Sequence, residues 1–240
     1  MWHIAAYRPV ALFSLRPSNA TVSGGKTLVT PTPFAFKMAL LDAAIRTQGI
    51  TQGQAWWHLI RDLQVAISLP ENFLVVKTFQ RILRPRDRGD RLGTGLIGSW
   101  GTNLVYREYV QYDVTSYLTI AVQPASEEGE TLPLNYLFSQ INYLGKRGSF
   151  LQFSGYETQT GLASEFTPLN PAAQEGFPVN GLMQLLDDCG AQMTFAHANV
   201  YDEKETRLKL NDARGRLMNL VVLPYQQVNA SRSYTAYQRI

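Results

Sequence analysis

The stretch Phe73–Val122 reads FLVVKTFQRIL (residues 73–83), then the arginine-rich segment RPRDRGDRLGTG (residues 84–95), and later a second strand-like run, LVYREYVQYDVTSYLTIAV (residues 104–122). Branched and aromatic residues dominate both flanking runs, and such residues pack well on a pleated, half-buried surface. The segment between them is rich in glycine and charge, which is typical of a connection. We therefore predict an elongated β-hairpin at about residues 73–122.

Positive charge is concentrated in this hairpin. Seven basic residues and two acids lie between Lys77 and Arg107, a net charge of +5, whereas the whole chain of 240 residues carries +3 and its remainder therefore −2. Clustered arginine favours a phosphate backbone as partner. The alternative is that these arginines solvate the edge of a hairpin and bind nothing.

The connection combines cations with features that favour close contact to a nucleic-acid strand. Gly89 and Gly93 permit close approach of a backbone, Pro85 stiffens the base, and Trp100 offers a stacking surface. The predicted nucleic-acid contacts of the hairpin are Arg81, Arg84, Arg86, Arg88, Arg91 and Trp100.

A second candidate phosphate site is the turn Gly145-Lys146-Arg147-Gly148-Ser149. Two glycines three residues apart allow a tight turn that presents backbone N–H groups, and the two cations between them attract phosphate. Gly-x-x-Gly turns clamp phosphates in other RNA-binding modules. The same residues also suit an ordinary helix C-cap, and that alternative stays open.

A third basic turn, Ser23-Gly24-Gly25-Lys26, precedes a predicted helix that begins after Pro33. Lys26 is a candidate RNA contact because it lies on this flexible turn. The N-terminus of the helix would add a dipole that favours phosphate.

Composition bounds the class of protein. Hydrophobic residues make up 45% of the chain and charged residues 17%, as in folded globular proteins. No apolar run approaches the roughly 20 residues that cross a bilayer, and the N-terminus lacks a targeting pattern. We therefore expect a cytoplasmic protein with no membrane partner.

The lone Cys189 excludes an internal disulfide and a multi-cysteine zinc site, and we expect it to be buried as a small hydrophobic residue.

Hydrophobic periodicity predicts the remaining elements. The predicted elements are strands at 2–16, 73–83, 104–122, 149–154, 192–200 and 217–223, a helix at 34–47 ended by Gly49, a helix that opens with a capping box at Thr51–Gln54, and a helix at 134–144. The order strand, helices, strand, strand, helix, strand is the split βαβ plan with an elongated hairpin between its middle strands. We predict an α+β fold: a ferredoxin-like domain at 1–154 with a long β-hairpin thumb, then a linker and a smaller C-terminal β-rich lobe at 155–240, packed on the same body.

The sequence contains no pattern for metal binding or a standard catalytic mechanism. The histidines are His3, His58 and His197; they form no i, i+4 pair, and none lies beside a plausible nucleophile. No Walker loop, dinucleotide-binding glycine pattern or nucleophile elbow occurs in its required context. We expect the acidic clusters Asp187-Asp188 and Asp202-Glu203-Glu205 to be solvated. We therefore predict no cofactor, no metal and no catalytic residue.

Six short motifs occur in a distinctive order along the first two thirds of the chain: Leu15-Arg16-Pro17, SGGKTL at 23–28, PTPF at 31–34, ALLDAAI at 39–45, Arg107-Glu108-Tyr109 and INYLGKRGSF at 141–150. Taken in this order, these motifs resemble the Cas-five family of CRISPR-associated proteins, within the RAMP superfamily. The resemblance covers about residues 2–153.

The resemblance implies a protein with an RRM-like domain, whose thumb at residues 84–103 and glycine loop at residues 145–149 bind the 5′ handle of a CRISPR RNA (crRNA). Such subunits cap the backbone filament of a type I Cascade surveillance complex, a cytoplasmic ribonucleoprotein of antiviral defence. The implied partners are the crRNA, a Cas-seven-family backbone subunit and a large subunit of Cas-eight or Cas-ten type. Contact with target DNA near the flanking motif is left open.

Two other functions stay open on the sequence. A minority branch of that family cuts its precursor RNA without a metal, and a histidine or tyrosine near the glycine loop would then act in general acid–base catalysis. A structural or protein-binding module unrelated to RNA is the other alternative.

Overall fold

The structure is a computed structural model that describes residues 1–20, 25–85, 100–126, 131–170, 180–199 and 208–240, with residues 84, 85 and 100 described by their backbone alone. The strands are β1 Trp2–Pro9, β2 Gln64–Ser68, β3 Asn72–Pro85, β4 Trp100–Tyr112, β5 Leu118–Gln123, β6 Leu151–Gln159, β7 Thr167–Pro168, β8 Leu182–Cys189, β9 Arg216–Leu223, β10 Tyr225–Ala230 and β11 Tyr234–Arg239. The helices are α1 Pro33–Gln48, α2 Ile50–Arg61, α3 Leu134–Ser139 and α4 Phe195–Ala198. The fold mixes helices with antiparallel sheets, so the predicted α+β class is confirmed.

The first sheet has the strand order β6-β1-β5-β2-β7, and every neighbouring pair in it is antiparallel. Helices α1 and α2 connect β1 to β2, and α3 connects β5 to β6. The odd-numbered residues Ala5 and Tyr7 of β1 are fully buried, and the Tyr7 hydroxyl donates to the Phe138 carbonyl of α3 at 2.9 Å. One face of this sheet is therefore the core face, against the helices.

The hairpin of β3 and β4 belongs to a second sheet with the order β10-β11-β3-β4. Its register runs from Phe73 opposite Tyr112 to Pro85 opposite Trp100. Phe73 and Tyr112 at its base are 2% exposed, whereas Leu83 is 64% exposed. The elongated hairpin predicted from the sequence is present and extends beyond the buried core.

The run 104–122, predicted as one strand, is divided between β4 and β5. Asp113 Oδ1 accepts hydrogen bonds from the Thr115 N–H at 2.9 Å and the Thr115 hydroxyl at 2.7 Å, which closes a turn between the two strands. Strand β4 stays with the hairpin, while β5 pairs with β1 and β2 in the first sheet. The hairpin is thus inserted between β2 and β5. Strand β2 was not predicted, because a strand of five residues directly after a helix shows little hydrophobic periodicity.

The predicted first helix is confirmed, and both of its ends follow the expected chemistry. Thr32 Oγ1 accepts the Ala35 N–H at 3.1 Å, and Pro33 begins the helix. Gly49 ends it with a φ of 87°, a conformation that glycine adopts without strain.

Four other predicted elements have different boundaries in the structure. The capping box at Thr51–Gln54 does not form, because α2 begins at Ile50 with Gly49 as its N-cap. Helix α3 ends at Ser139, although Ile141 and Leu144 are still buried. Strand β1 ends at Pro9 instead of residue 16, and β6 begins at residue 151 and extends to residue 159.

The C-terminal third differs most from the prediction. Helix α4 lies where a strand at 192–200 was expected, and His197 forms a capping box with Thr194. Strand β9 confirms the strand expected at 217–223, whereas β8, β10 and β11 were not predicted. Strand β11 pairs with β3, so the C-terminal hairpin extends the second sheet.

The acidic pair Asp187-Asp188 is buried, so its predicted solvation is wrong. Lys37 Nζ lies 2.6 Å from Asp188 Oδ1, and Arg216 Nη1 lies 2.9 Å from Asp187 Oδ2. Buried carboxylates need such partners, and these come from α1 and β9, far away in the sequence. The cluster Asp202-Glu203-Glu205 lies outside the described residues.

One large cluster of buried hydrophobic residues joins the helices and the first sheet to the base of the hairpin and to β8 and β9. Trp56 and Trp57 of α2 are 8% and 3% exposed and belong to this cluster. Cys189 is 7% exposed, and burial raises the pKa of its thiol to about 12, which suits a small hydrophobic residue better than a nucleophile. None of the described helices is long and apolar enough to cross a bilayer.

Candidate nucleic-acid interface

The glycine loop, residues 145–149, is a tight turn that leads into β6. Gly145 and Gly148 have positive φ values of 79° and 106°. The Ser149 N–H donates to the Lys146 carbonyl at 3.0 Å and closes the turn. Because α3 ends at Ser139, six residues before Gly145, the loop is not the C-cap of that helix.

The underside of the glycine loop is held by Ser14. The Lys146 N–H donates to the Ser14 carbonyl at 3.0 Å, and the buried Ser149 hydroxyl oxygen accepts the Ser14 N–H at 3.0 Å. A β-carbon at Gly145 would lie 3.1 Å from the Ser14 carbonyl oxygen and 3.2 Å from the Phe13 ring. The loop therefore needs glycine at position 145 for close packing as well as for its backbone angles.

The outer side of the loop offers donors for a phosphate. Lys146 and Arg147 are exposed. In the described part of the chain, neither side chain has a hydrogen-bond or ion-pair partner, and the N–H groups of Arg147 and Gly148 are unpaired. Cations beside unpaired N–H groups on a tight turn form a donor set that suits phosphate oxygens.

An open cavity of about 330 Å³ lies beside the glycine loop, against α1. Three arginines line it, but two have carboxylate partners: Arg46 with Asp42 at 2.7 Å and Arg216 with Asp187 at 2.9 Å. The third is Arg16. This cavity is therefore less electropositive than its arginine content suggests, and the glycine loop is the stronger anion site.

The N-terminus of α1 also lines this cavity. Thr32 accepts the Ala35 N–H with its hydroxyl at 3.1 Å and the Phe36 N–H with its carbonyl at 3.0 Å. Two N–H groups of the first turn therefore already have acceptors within the chain and are not free for a phosphate. Binding of phosphate at this end of α1 remains a prediction.

The turn that carries Lys26 is fastened to the hairpin by Glu108. The Gly25 carbonyl accepts the Glu108 N–H at 2.8 Å, and the Glu108 carboxylate accepts the Thr27 N–H at 3.2 Å. Tyr106 donates its hydroxyl to the same carboxylate at 2.6 Å, and partial burial together with this acceptor raises the Tyr106 pKa to about 12. Lys26 is exposed beside this clamp. Ser23 and Gly24 lie outside the described residues.

All three basic elements meet at the bridging segment, residues 13–16. Phe13 exchanges backbone hydrogen bonds with β4 at 2.8 and 2.7 Å, which ties the segment to the hairpin. Ser14 holds the glycine loop, and the Leu15 N–H donates to Thr27 Oγ1 at 2.9 Å, next to Lys26. Elements that are more than 100 residues apart in the sequence are therefore neighbours in the fold.

The hairpin itself is described in part. Arg81 is exposed, and it forms no ion pair with a carboxylate of the described residues. Arg84 and Trp100 are placed by backbone only, opposite Gly101 and Pro85. Arg86, Arg88 and Arg91 lie outside the described residues. Contact of these side chains with RNA stays a prediction.

The histidines do not gather into a site. His3 Nδ1 lies 2.6 Å from the Tyr156 hydroxyl. Tyr156 is about 16 Å along β6 from Leu151, at the usual rise of a β-strand, so this pair is distant from the glycine loop that precedes the strand. His58 is exposed and bonds the Ala55 carbonyl at 2.9 Å. No group of three or more metal-ligating side chains occurs among the described residues.

Two residues that build this interface were not predicted. The role of Glu108 could have been inferred from the sequence. It alternates with Val110 and Tyr112 on the inward face of β4, so its carboxylate must be buried and must have hydrogen-bond partners. The role of Ser14 could not have been inferred, because it lies in an irregular segment that hydrophobic periodicity assigns to a strand at residues 2–16. Its role depends on which loop the fold brings beside it.

Comparison with known proteins adds similarity without establishing a family. No family model matches the chain, and no curated protein matches it. A solved structure described as a CRISPR protein from Archaeoglobus fulgidus is similar over 100% of this chain and 92% of its own, with 12% identity and a TM-score of 0.44. A chain of a CRISPR RNA-guided surveillance complex is similar over 99% of this chain and 89% of its own, with 11% identity and a TM-score of 0.41.

Proposed function

We propose that this chain is the crRNA-binding subunit of a type I Cascade-like complex, holding the 5′ handle of the crRNA and capping the backbone filament beside the large subunit. The proposed role is non-catalytic. The observation that carries it is the convergence of the glycine loop, the Lys26 turn and the base of the hairpin on the bridging segment, residues 13–16.

The order of strands supports this proposal. Within the first sheet, β6-β1-β5-β2 is the order of a split βαβ, ferredoxin-like domain, with helices between β1 and β2 and between β5 and β6. The β3–β4 hairpin is inserted at the connection between the middle strands, as a thumb on a RAMP-type domain would be. Among the sequence landmarks of the Cas-five resemblance, ALLDAAI lies in α1, Arg107-Glu108-Tyr109 lies in β4, and INYLGKRGSF contains the glycine loop.

The geometry also supports a division of roles among the basic residues. Lys146 and Arg147 stand on a loop fixed from below by Ser14, so the loop backbone needs little ordering when it meets a phosphate. Phosphate contacts of this kind position a strand but do not read its sequence. Lys26 lies on a turn that is tied to the same bridging segment, and the hairpin arginines would add further phosphate contacts.

The test is the salt dependence of binding to repeat-derived single-stranded RNA. A Lys146→Ala/Arg147→Ala variant should bind more weakly and lower the slope of log K against log salt by about 1.4, at roughly 0.7 for each lost phosphate contact. The matched control, Lys209→Ala/Arg214→Ala, removes two exposed cations from the region of β9 and should leave the slope unchanged. Equal slopes for the loop variant and the wild type would contradict the assignment of the loop.

Partners follow from the same proposal. A Cas-seven-family backbone subunit and a Cas-eight or Cas-ten-like large subunit should co-purify with the chain, together with crRNA. Sequencing the RNA that remains after a high-salt wash identifies the handle. A preparation free of nucleic acid would instead favour a protein-binding module unrelated to RNA.

Cleavage of precursor RNA is the second hypothesis. Tyr143 lies beside the glycine loop, bridged to Phe150, and is the nearest described candidate for acid–base chemistry there. Incubation of the purified protein with repeat RNA in EDTA decides between the two. Specific cleavage that is abolished by Tyr143→Phe or His3→Ala would overturn the non-catalytic role.

A further inference from the structure

The outer face of the first sheet, opposite the helices, is open at the end nearest the glycine loop. Even-numbered residues of β1 point to this face, because Ala5 and Tyr7 point to the core. Arg8 is exposed there, and Val10, which follows the strand, is 55% exposed.

Two aromatic side chains flank these residues on the same face. Arg8 Nη2 donates to the Tyr117 hydroxyl at 3.3 Å, and its guanidinium carbon lies 5.6 Å from the centre of the Tyr117 ring. The Val10 N–H donates to the Phe150 carbonyl at 3.1 Å. Tyr117 is 44% exposed and Phe150 is 48% exposed. We call Arg8, Val10, Tyr117 and Phe150 the platform.

The other end of this face is covered and acidic. Leu162 and Phe166 pack against the small cluster of Ile4, Ala66 and Ala121. A cavity of about 420 Å³ beside Phe166 is lined by Glu157 and Glu165. Side chains of the described residues therefore cover this end of the outer face, whereas the platform residues are exposed. Exposed apolar side chains in a group mark an interaction site more often than isolated ones do.

The charges around the platform indicate what binds it. Phe150 directly follows the glycine loop, so the exposed Lys146 and Arg147 lie only a few residues before it in the chain. Asp113, the nearest carboxylate before Tyr117 in the sequence, is engaged in closing its own turn. Aromatic rings beside cations match a single-stranded nucleic acid, whose bases stack and whose phosphates seek positive charge.

We propose that the platform stacks bases of a bound RNA strand on Tyr117 and Phe150, while Arg8 and the glycine loop hold the adjoining phosphates. This inference rests on the proposed function and adds the kind of contact that the bases make. RRM sheets stack two or three bases on exposed aromatic residues of their sheet. Tyr117 directly precedes β5 and Arg8 lies on β1, and these two strands are neighbours inside the first sheet.

The experiment is a titration of the full chain with single-stranded repeat RNA that contains 2-aminopurine, whose fluorescence is quenched by stacking. Phe150→Ala and Tyr117→Ala should each raise Kd by about 5- to 150-fold and reduce the quenching, without a change in the salt slope. Phe150→Trp should preserve both affinity and quenching. The matched control is Tyr136→Ala, which removes a 46% exposed tyrosine from α3 and should change neither.

The outcomes separate this inference from the proposed function. Wild-type protein that binds no RNA would overturn both. RNA binding that Phe150→Ala and Tyr117→Ala leave intact, in variants with wild-type thermal midpoints, would overturn the platform alone. If those variants keep RNA affinity but fail to assemble with their protein partners, the platform is a protein-docking surface and the inference is wrong.

Discussion

Gly25 lies so close to Tyr106 that a β-carbon at position 25 would overlap the Tyr106 carbonyl oxygen. The contact is backbone against backbone, so a larger residue cannot be accommodated by turning a side chain. Glycine at this position therefore lets the Lys26 turn cross the base of the hairpin, where the Gly25 carbonyl accepts the Glu108 N–H at 2.8 Å.

The first prediction concerns this crossing. Gly25→Ala should lower the free energy of unfolding by about 1–3 kcal/mol, because the turn and β4 must separate to admit a methyl group. Urea denaturation measures the change. Gly161→Ala is the matched control, since a β-carbon there meets no atom within 4 Å. Equal stability of the two variants would show that the turn tolerates displacement from β4.

The second prediction concerns the buried ion pair of Lys37 and Asp188. Lys37→Met should cost about 3–5 kcal/mol, because it leaves a buried carboxylate without its cation. Asp42→Ala removes one partner of the exposed Arg46 pair and should cost less than about 1 kcal/mol. Restoration of much of the loss by Lys37→Met/Asp188→Asn would identify the unpaired charge as the cause.

The third prediction is a pH dependence of the Lys37→Met variant. Burial raises the pKa of Asp188, and Lys37 opposes that rise. Removing Lys37 should raise the folded-state pKa of Asp188 further. The variant should therefore keep its stability at a pH near 3.8, the ordinary pKa of the carboxyl group, and lose it as the pH rises through the folded-state pKa. The penalty of the variant should therefore shrink on mild acidification. A penalty that is constant or larger at lower pH would contradict this account.

The fourth prediction concerns alkaline stability. Burial raises the pKa of the Cys189 thiol and the Tyr225 hydroxyl to about 12, from 9.0 and 10.0. The folded chain keeps these protons after the unfolded chain has lost them, so stability is full below pH 9 and falls as pH rises towards 12. Urea midpoints at rising pH measure the fall, and Cys189→Ala should make it shallower. Rapid reaction of the native thiol with a disulfide reagent near neutral pH would contradict the burial of Cys189.

The fifth prediction concerns the tip of the hairpin. Substitution of Arg84, Arg86, Arg88 and Arg91 by alanine should weaken handle binding and flatten its salt slope by up to about 2.8, at roughly 0.7 for each contact. The matched control replaces the same four residues by lysine, which keeps the charge and should keep most of the slope. An unchanged slope in the alanine variant would remove the hairpin from the interface.

The glycine loop could be predicted from the local sequence. Its two glycines, its cations and its turn are visible in the sequence because they are adjacent residues with known backbone preferences. The buried Asp187-Asp188 pair shows the limit. Charged residues beside each other predict a solvated face, and only their partners on α1 and β9 make burial possible.

The division of residues 104–122 has the same origin. Both strands are rich in branched and aromatic residues, so periodicity alone does not separate them. The break depends on the turn that Asp113 closes and on the pairing of β5 with β1, more than 100 residues earlier in the chain.

The sequence by itself determined the elongated hairpin, the first helix with its Gly49 end, and the cationic turns, because each depends on neighbouring residues and their backbone preferences. Only the tertiary structure decided that the hairpin leaves the first sheet, that Ser14 supports the glycine loop, and that an aromatic platform stays uncovered beside it. These features depend on contacts between segments far apart in the chain, which arise when the sheet pairs and the core is buried.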